Sequence, residues 1–273
     1  MLTKFYNRIP ATIARFALTL TLALFTLFTL FPQRAIALNA SCDTLPSHAE
    51  LKAALESVVE AGGNGGLSNQ MWVASVNRDG VVCAIAFSGQ DRGAQWPGSR
   101  VIAAQKANTA NAFSLSNLAL SSANLFSPVQ PGQSLFGLQA SNPVNPAVAY
   151  RGNAKRYGQP NDPMVGGKIG GVNVFGGGLA LYDSNGEIVG GLGVSGNTSC
   201  TDHNIAWKVR DAIGFDYVPT GVSPTGDDNI IYDISIDRAT GQKVSASGFG
   251  HPNCDSEATK VATDLPDTHP IGE

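Results

Sequence analysis

Much of the equipment of common enzyme classes is missing from this 273-residue chain. Histidine is confined to His48, His203, His251 and His269, and none of them stands in the HExxH spacing of a zinc-protease helix. The four cysteines, Cys42, Cys83, Cys200 and Cys254, include no CxxC, which argues against a redox-active dithiol or a zinc ribbon. Its glycine-rich stretches are not followed by Lys-Ser/Thr and form no GxGxxG opening a helix, so phosphate and dinucleotide cradles are only weakly signalled. Gly193-Val194-Ser195-Gly196 falls short of GxSxG spacing, and no paired carboxylates stand out. On chemistry alone the chain reads as a binding protein more than an enzyme.

Long apolar runs are absent beyond Phe31, and so is any basic cluster beyond the first residues. Lys4, Arg8 and Arg15 precede the uncharged run Phe16–Phe31, and Ala35-Ile36-Ala37 is a small-x-small cleavage site. Residues 1–37 therefore read as a secretory signal cleaved after Ala37, with export to the periplasm or the medium and no membrane insertion after cleavage; the alternatives are an uncleaved anchor and a lipid on Cys42. The leader carries four Lys/Arg and no Asp/Glu, so the mature charge is 14 − 21 = −7. A chain of that charge without a basic stripe is not expected to bind nucleic acid. Four cysteines in an exported protein favour two disulfides; chain proximity favours Cys42–Cys83 and Cys200–Cys254, although spacing leaves three pairings open.

What is present in quantity is glycine, and it concentrates in Gly170–Gly196. There the runs Leu179–Tyr182 and Ile188–Val194 flank Asp183-Ser184-Asn185-Gly186, a hairpin signal. Glycine inside a strand weakens it unless something comes close to the backbone. A packed helix, a neighbouring subunit or a flat ligand would each serve, and packing by a helix is the plainest reading for Gly176–Gly178, Gly190, Gly191 and Gly193.

Upstream, Ser47-His48-Ala49-Glu50 is a capping box opening a helix that ends at Gly62. Met71–Val76 and Val81–Phe87 form a first hairpin around Asn77–Gly80, its second arm expected to be central because it is apolar on both faces. Ser99 is placed to cap an Ala-rich helix over Arg100–Ser114. Leu115–Lys168 is Pro-rich and without periodicity, a loop excursion with one short element near Ser134–Gln139. A third helix is expected over Asn204–Ile213, capped by Thr201 or Asp202. From Val218 onward the chain reads as an appendage, with Ile230–Ile236 as an edge strand. Paired strands separated by helices give an α+β class with an antiparallel sheet flanked by helices.

Few side chains are candidates for chemistry. His48 and His203 lie near helix N-termini, where an imidazole is either an exposed turn residue or a ligand for haem iron or another metal. Lys106 interrupts a stripe of small residues, as a snorkelling side chain or as a functional amine. Tyr150, Arg151, Arg156 and Tyr157 form the one aromatic–basic cluster of the mature chain and suit a carboxylate or a propionate. His251, beside Pro252 and Cys254, reads as part of a disulfide-pinned loop.

Several stretches resemble the GlcG/HbpS-type haem-binding family: Val73–Gly80, Ala104–Ala110, Gly176–Tyr182 and, most strongly, Ile188-Val189-Gly190-Gly191-Leu192-Gly193-Val194-Ser195-Gly196 followed by Asp202. Their order and spacing also fit, over about Leu45–Phe215. The resemblance implies a profilin-like α+β domain that assembles into homo-oligomers, and a haem or related tetrapyrrole as ligand. It divides the chain into the signal (1–37), a family domain (38–216) with its insertion at about 115–168, and a C-terminal extension (217–273). The expected function is an exported haem-binding protein. Its expected site residues are His48 or His203 on the iron, Arg151, Arg156 or Lys168 on the propionates, and Lys106, Gly177 and Gly178 beside the macrocycle. The alternatives are a small-molecule enzyme using Lys106 and Asp202, or a ligand-free oligomeric partner. The insertion, the four cysteines and the His251 tail depart from the short cytoplasmic members.

Overall fold

Two hairpins lie side by side to make one sheet. The computed structural model describes residues 41–272, so the signal read in residues 1–37 lies outside the described residues. Strands β1 (Trp72–Asn77), β2 (Val82–Phe87), β3 (Gly178–Tyr182) and β4 (Ile188–Ser195) run antiparallel in the order β2-β1-β4-β3. Each turn is closed by its own side chain. The Asn77 carboxamide oxygen accepts the Asp79 and Val81 amides at 3.0 Å, and Asp183 accepts the Asn185 and Glu187 amides at 2.9 and 3.0 Å. Gly80 and Gly186 take the left-handed conformation these turns need, at φ +71° and +73°. The hairpins join through β1 and β4, with Trp72 opposite Ser195 and Val76 opposite Gly191. The sheet is the expected α+β arrangement.

One strand position differs from expectation. β2 is an edge strand, and β1 and β4 are the central ones. Its apolar character comes from a cover the pattern does not reveal. The end of the insertion lies along the outer edge of β2, exchanging Val82 N–H to Gly167 O and Gly166 N–H to Val82 O at 2.9 Å each. The exposed-edge hazard is thereby removed.

Helix α1 (His48–Ala61) starts at the expected capping box: the Glu50 amide donates to Ser47 Oγ at 3.3 Å, and the Ser47 amide to Glu50 Oε2 at 2.8 Å. Helix α2 (Ser99–Phe113) begins after Gly98 with Ser99 already inside it. Helix α3 (Ser199–Ala212) begins earlier than expected, because Thr198 rather than Thr201 or Asp202 is its cap. Cys200 to His203 thereby become helical. The run Thr198–Asn204 offers several residues capable of capping, and composition alone does not select among them.

The sheet has a dry core on each face. Leu51 and Leu55 of α1 and Ile205, Ala206, Trp207 and Val209 of α3 pack on Met71, Val73, Leu179, Leu181, Leu192 and Val194. On the other face α2 brings Ala103, Ala104 and Ala107 against Ala74, Val76 and Ile85. There the sheet itself has no side chains to offer at Gly178, Gly191 and Gly193. A Cβ on them would collide with the backbone carbonyls of Lys106, Ala107 and Ala103 respectively. Helix packing is therefore what these strand glycines permit.

The insertion contains 3₁₀ turns at Ser122–Leu125, Ser127–Val129 and Ala154–Arg156, and single-turn helices at Leu138–Ser141 and Pro146–Ala149. The C-terminal extension packs tightly against the rest rather than hanging from it. Its helix α4 (Ser256–Thr268) buries Ala258, Ala262 and Leu265, and Asn204 of α3 donates to Ala258 O at 2.9 Å. Ile234–Ile236 (β5) pairs with Lys243–Ser245 (β6) in a separate two-stranded sheet, not on the edge of the main one. The disulfides are Cys42–Cys83 and Cys200–Cys254. They close separations of 41 and 54 residues, which chain entropy values at about 4 kcal/mol each. No helix among the described residues is long and apolar enough to cross a membrane.

Gly193→Ala forces α2 away from β4 and is expected to cost about 3 kcal/mol or more in denaturant unfolding. Gly98→Ala, whose Cβ meets nothing within 4 Å, serves as the control and is expected to change stability by less than about 0.5 kcal/mol.

Candidate functional site

The sequence-derived residues gather at two places. The first is where α2, α3 and the start of β3 meet. Lys106, 1% exposed, sends its ammonium to Asp202 Oδ2 at 2.6 Å and to the Val194 carbonyl at 3.1 Å. Asp202 Oδ1 accepts the Asn197 amide at 2.8 Å. Burial lowers the Lys106 pKa against the pull of Asp202, and burial pushes Asp202 up to about 6 against the pull of Lys106. Desolvation thus outweighs attraction on both sides of the pair. Neither residue is in the lining of the cavities beside Phe126, Asn64 or Asp43 among the described residues. Lys106 is neither the snorkelling side chain nor the pocket amine expected. It is a strut between two helices.

Gly177 and Gly178 belong to the same junction. A Cβ on Gly177 would meet the Val194 carbonyl and Asp202, and one on Gly178 the Lys106 carbonyl and Ser122. The flat ligand expected against them has no room, because α2 and α3 already cover that backbone. His203 is sealed there too, with no exposed surface. Its Nε2 lies 3.1 Å from Asn229 Oδ1 and from the Ile230 amide. Nδ1 is buried without a partner. Burial, seconded by Arg210, pushes its pKa down to about 3 and keeps it neutral. An open imidazole at His203 is corrected to a closed one: α3 starts earlier than expected, and Asn229 and Ile230 close on the ring nitrogen.

The second gathering is at the surface. His48 is half-buried, and its Nε2 lies 2.9 Å from the Gly158 carbonyl, so Nε2 carries the proton. That bond brings His48 to the Arg151–Gly158 turn. Within the turn Tyr157 Oη donates to Tyr150 O at 3.2 Å, and Arg151 donates to the Pro163 carbonyl and, at 3.1 Å, to the Val165 carbonyl. Arg156 and Lys168 are exposed. Of the residues selected from the sequence, His48 touches this turn only at the Gly158 carbonyl, Arg151 is occupied by backbone carbonyls, and Arg156 is exposed.

Sequence reasoning missed a third histidine's position. His251, 3% exposed, donates from Nδ1 to the Pro252 carbonyl at 2.7 Å, because a carbonyl can only accept. Nε2 is left with its lone pair, which accepts the Ser199 hydroxyl at 2.8 Å. The Ser199 oxygen also accepts the Gly176 amide at 2.7 Å. Burial pushes the His251 pKa down to about 4. The Cys200–Cys254 disulfide ties the start of α3 to this loop. The Phe126 ring lies 5.1 Å from the imidazole. Beside it opens a cavity of about 640 Å³, lined by Phe126, Tyr232, Ile236, Lys243 and Val244 among others. The available signal was the pairing of Ser199-Cys200 with His251-Pro252-Asn253-Cys254. It reads as a loop staple until the pocket is seen. No group of three or more His, Cys, Asp or Glu placed to hold a metal ion occurs among the described residues.

A family model described as haem degrading protein HbpS-like matches residues 48–210. None of the curated proteins matches the chain. Among solved structures, the chain is similar to protein ORFY of Klebsiella pneumoniae, at 24% identity over 62% of this chain and 90% of that one, with a TM-score of 0.41. It is similar to PduOC, whose structure is a heme complex, at 25% identity over 60% and 90%, TM-score 0.42. It is also similar to HbpS, at 18% identity over 62% and 90%, TM-score 0.38.

Two predictions follow from the buried groups. Lys106→Met and Asp202→Asn are each expected to cost about 3–5 kcal/mol by stranding a buried charge. The double variant is expected to lose less than the sum by about 2 kcal/mol, measured by a denaturant double-mutant cycle. The second concerns acid. His203 and His251 titrate near 6.5 when unfolded but only at about 3 and about 4 when folded. The stability they hold at neutral pH is therefore lost as pH falls below about 6.5 toward those values. Asp202, raised by folding, works in the opposite sense, so the test is a difference. The Tm of His203→Asn is expected to fall less between pH 7 and about pH 4.5 than that of the unaltered chain.

Proposed function

The chain belongs to the HbpS-like family, and from that premise we propose that it is an exported haem-binding protein. The observation that carries the proposal is the family match over residues 48–210, which takes in the whole four-stranded sheet and all of α1 and α2. Export is supported by the composition of residues 1–37 and by two disulfides, bonds that persist in oxidising compartments. Self-association is part of the proposal. Phe136 and Tyr150, each 65% exposed, are the side chains that support it.

Haem, when bound, would supply an iron that accepts a protein donor atom and a macrocycle edged by two carboxylates. The protein must supply an apolar slot, a donor atom and cations. The junction of Lys106, Gly177, Gly178 and His203 does not fit, since it is filled by helix backbone and holds its only imidazole closed. The His48 surface supplies an accessible imidazole and the cation of Arg156. The cavity beside His251 supplies the apolar volume, an imidazole and the cation of Lys243.

The test is an absorbance titration of the purified full chain, disulfides intact, with hemin. A saturable Soret shift with a single stoichiometric end point is the expected result. A featureless linear rise with hemin would overturn the proposal.

A further inference from the structure

Resting on the haem reading, we infer that the tetrapyrrole site of this chain is the cavity beside His251, built largely by segments the family stretch does not contain, with His251 Nε2 as the ligating nitrogen.

Three features converge there. The first is room. The cavity encloses about 640 Å³, within the roughly 300–1,000 Å³ of small-molecule sites. One wall is the insertion, through Phe126 and Gln130. The others are the β5–β6 hairpin, through Ile236 and Val244, and the loop that carries His251. The hairpin and the loop lie beyond residue 210, where the family match ends. Ile236 and Val244 are 66% and 41% exposed, large apolar side chains at the cavity that a bound macrocycle would cover.

The second feature is the tautomer. An imidazole ligates through a bare nitrogen while the other nitrogen donates to a fixed acceptor, often a backbone carbonyl. His251 has that arrangement, with Nδ1–H held by Pro252 O and Nε2 bare. The partner of Nε2 is a neutral hydroxyl, which is exchangeable. Ser199 Oγ keeps the Gly176 amide when the imidazole leaves it. His48 is set the other way, with its proton on Nε2 and only the more hindered Nδ1 bare. His203 is enclosed.

The third feature is charge. The lining holds one charged side chain, Lys243, and no carboxylate. On a mature chain of net charge 14 − 21 = −7, this is a local exception that suits an anionic edge such as a propionate. The Cys200–Cys254 bond holds the loop of His251 to the start of α3.

The experiment is the hemin titration repeated on His251→Ala, Ile236→Glu and His48→Ala, full chain with disulfides intact. Affinity and Soret position are read, and far-UV circular dichroism verifies each fold. Ile236→Glu changes an exposed position, so it reports on the cavity even where His251→Ala perturbs the loop. We expect His251→Ala and Ile236→Glu each to weaken hemin about 10- to 100-fold, His251→Ala to move the Soret band, and His48→Ala to leave both unchanged. Loss of binding in His48→Ala, with the two cavity variants binding like the unaltered chain, overturns this inference and keeps the haem reading. Unaltered binding in all three also overturns it. No saturable shift in the unaltered chain overturns the haem reading itself.

Discussion

The contact of α2 with a strip of bare strand backbone is what the rest of this structure depends on. Gly178, Gly191 and Gly193 leave that face of β3 and β4 without side chains, and the carbonyls of Ala103, Lys106 and Ala107 occupy the space. A helix this close to a sheet needs small residues on its own side, which Ala103, Ala104, Ala107 and Ala110 provide, all fully buried. It also fixes where α2 sits along the strands. From that position the Lys106 side chain reaches past Val194 to Asp202 on α3. One glycine strip therefore sets the approach of one layer, and one ion pair ties that layer to the other.

The same device recurs at residues 115–168 and beyond residue 217. Arg100 of α2 forms a buried two-bond pair with Asp162 of the insertion, and Arg210 of α3 another with Asp228 of the C-terminal extension, at 2.7 and 2.8 Å. Buried pairs of this kind add little net stability over apolar packing, but removing one partner is costly. They are better understood as fixing where each segment docks. The Cys200–Cys254 bond fastens the extension to the start of α3, and Cys42–Cys83 fastens the approach to α1 onto β2. Arg100–Asp162 and Arg210–Asp228 are thus position markers for these two segments, as Lys106–Asp202 is for the core.

The features legible in the sequence were the local ones. The capping box at Ser47 and Glu50, the Asp183–Gly186 turn and the glycines of β4 each carry their explanation within a few residues, and the structure agrees with all three. Features that depend on distant partners were not legible. β2 reads as central because Gly166–Lys168, about eighty residues on, covers its edge. The start of α3 was ambiguous because Thr198, Ser199, Thr201 and Asp202 can all cap a helix. Lys106 reads as a snorkelling side chain because its partner lies 96 residues away. Of the candidate residues, Tyr150, Arg151 and Tyr157 were legible as neighbours because they lie within one turn, where Tyr157 Oη donates to the Tyr150 carbonyl. His251 was not, because its pocket exists only once the insertion meets the β5–β6 hairpin.

The packing that makes the core stable also decides where a ligand can go. The glycines, whose missing side chains would have left room for a flat molecule, are covered by α2 and α3, and the imidazole beside them is closed over by Asn229 and Ile230. Opening that junction would separate α2 from the sheet and strand Lys106 and Asp202 in the same movement. The core is thereby a poor place for a site that must fill and empty. Residues 126–133 and the stretch beyond Tyr232 have no such constraint. Their hairpin is a separate two-stranded sheet, its strands are largely exposed, and the cavity it forms with residues 126–133 is bordered by the loop of His251 rather than filled by a helix. A fold that spends its glycines on helix packing has its accessible pocket outside that packing, and in this chain the cavity is walled by residues 126–133 and by the stretch from Tyr232 to Asn253, with Lys243 and His251 in its lining.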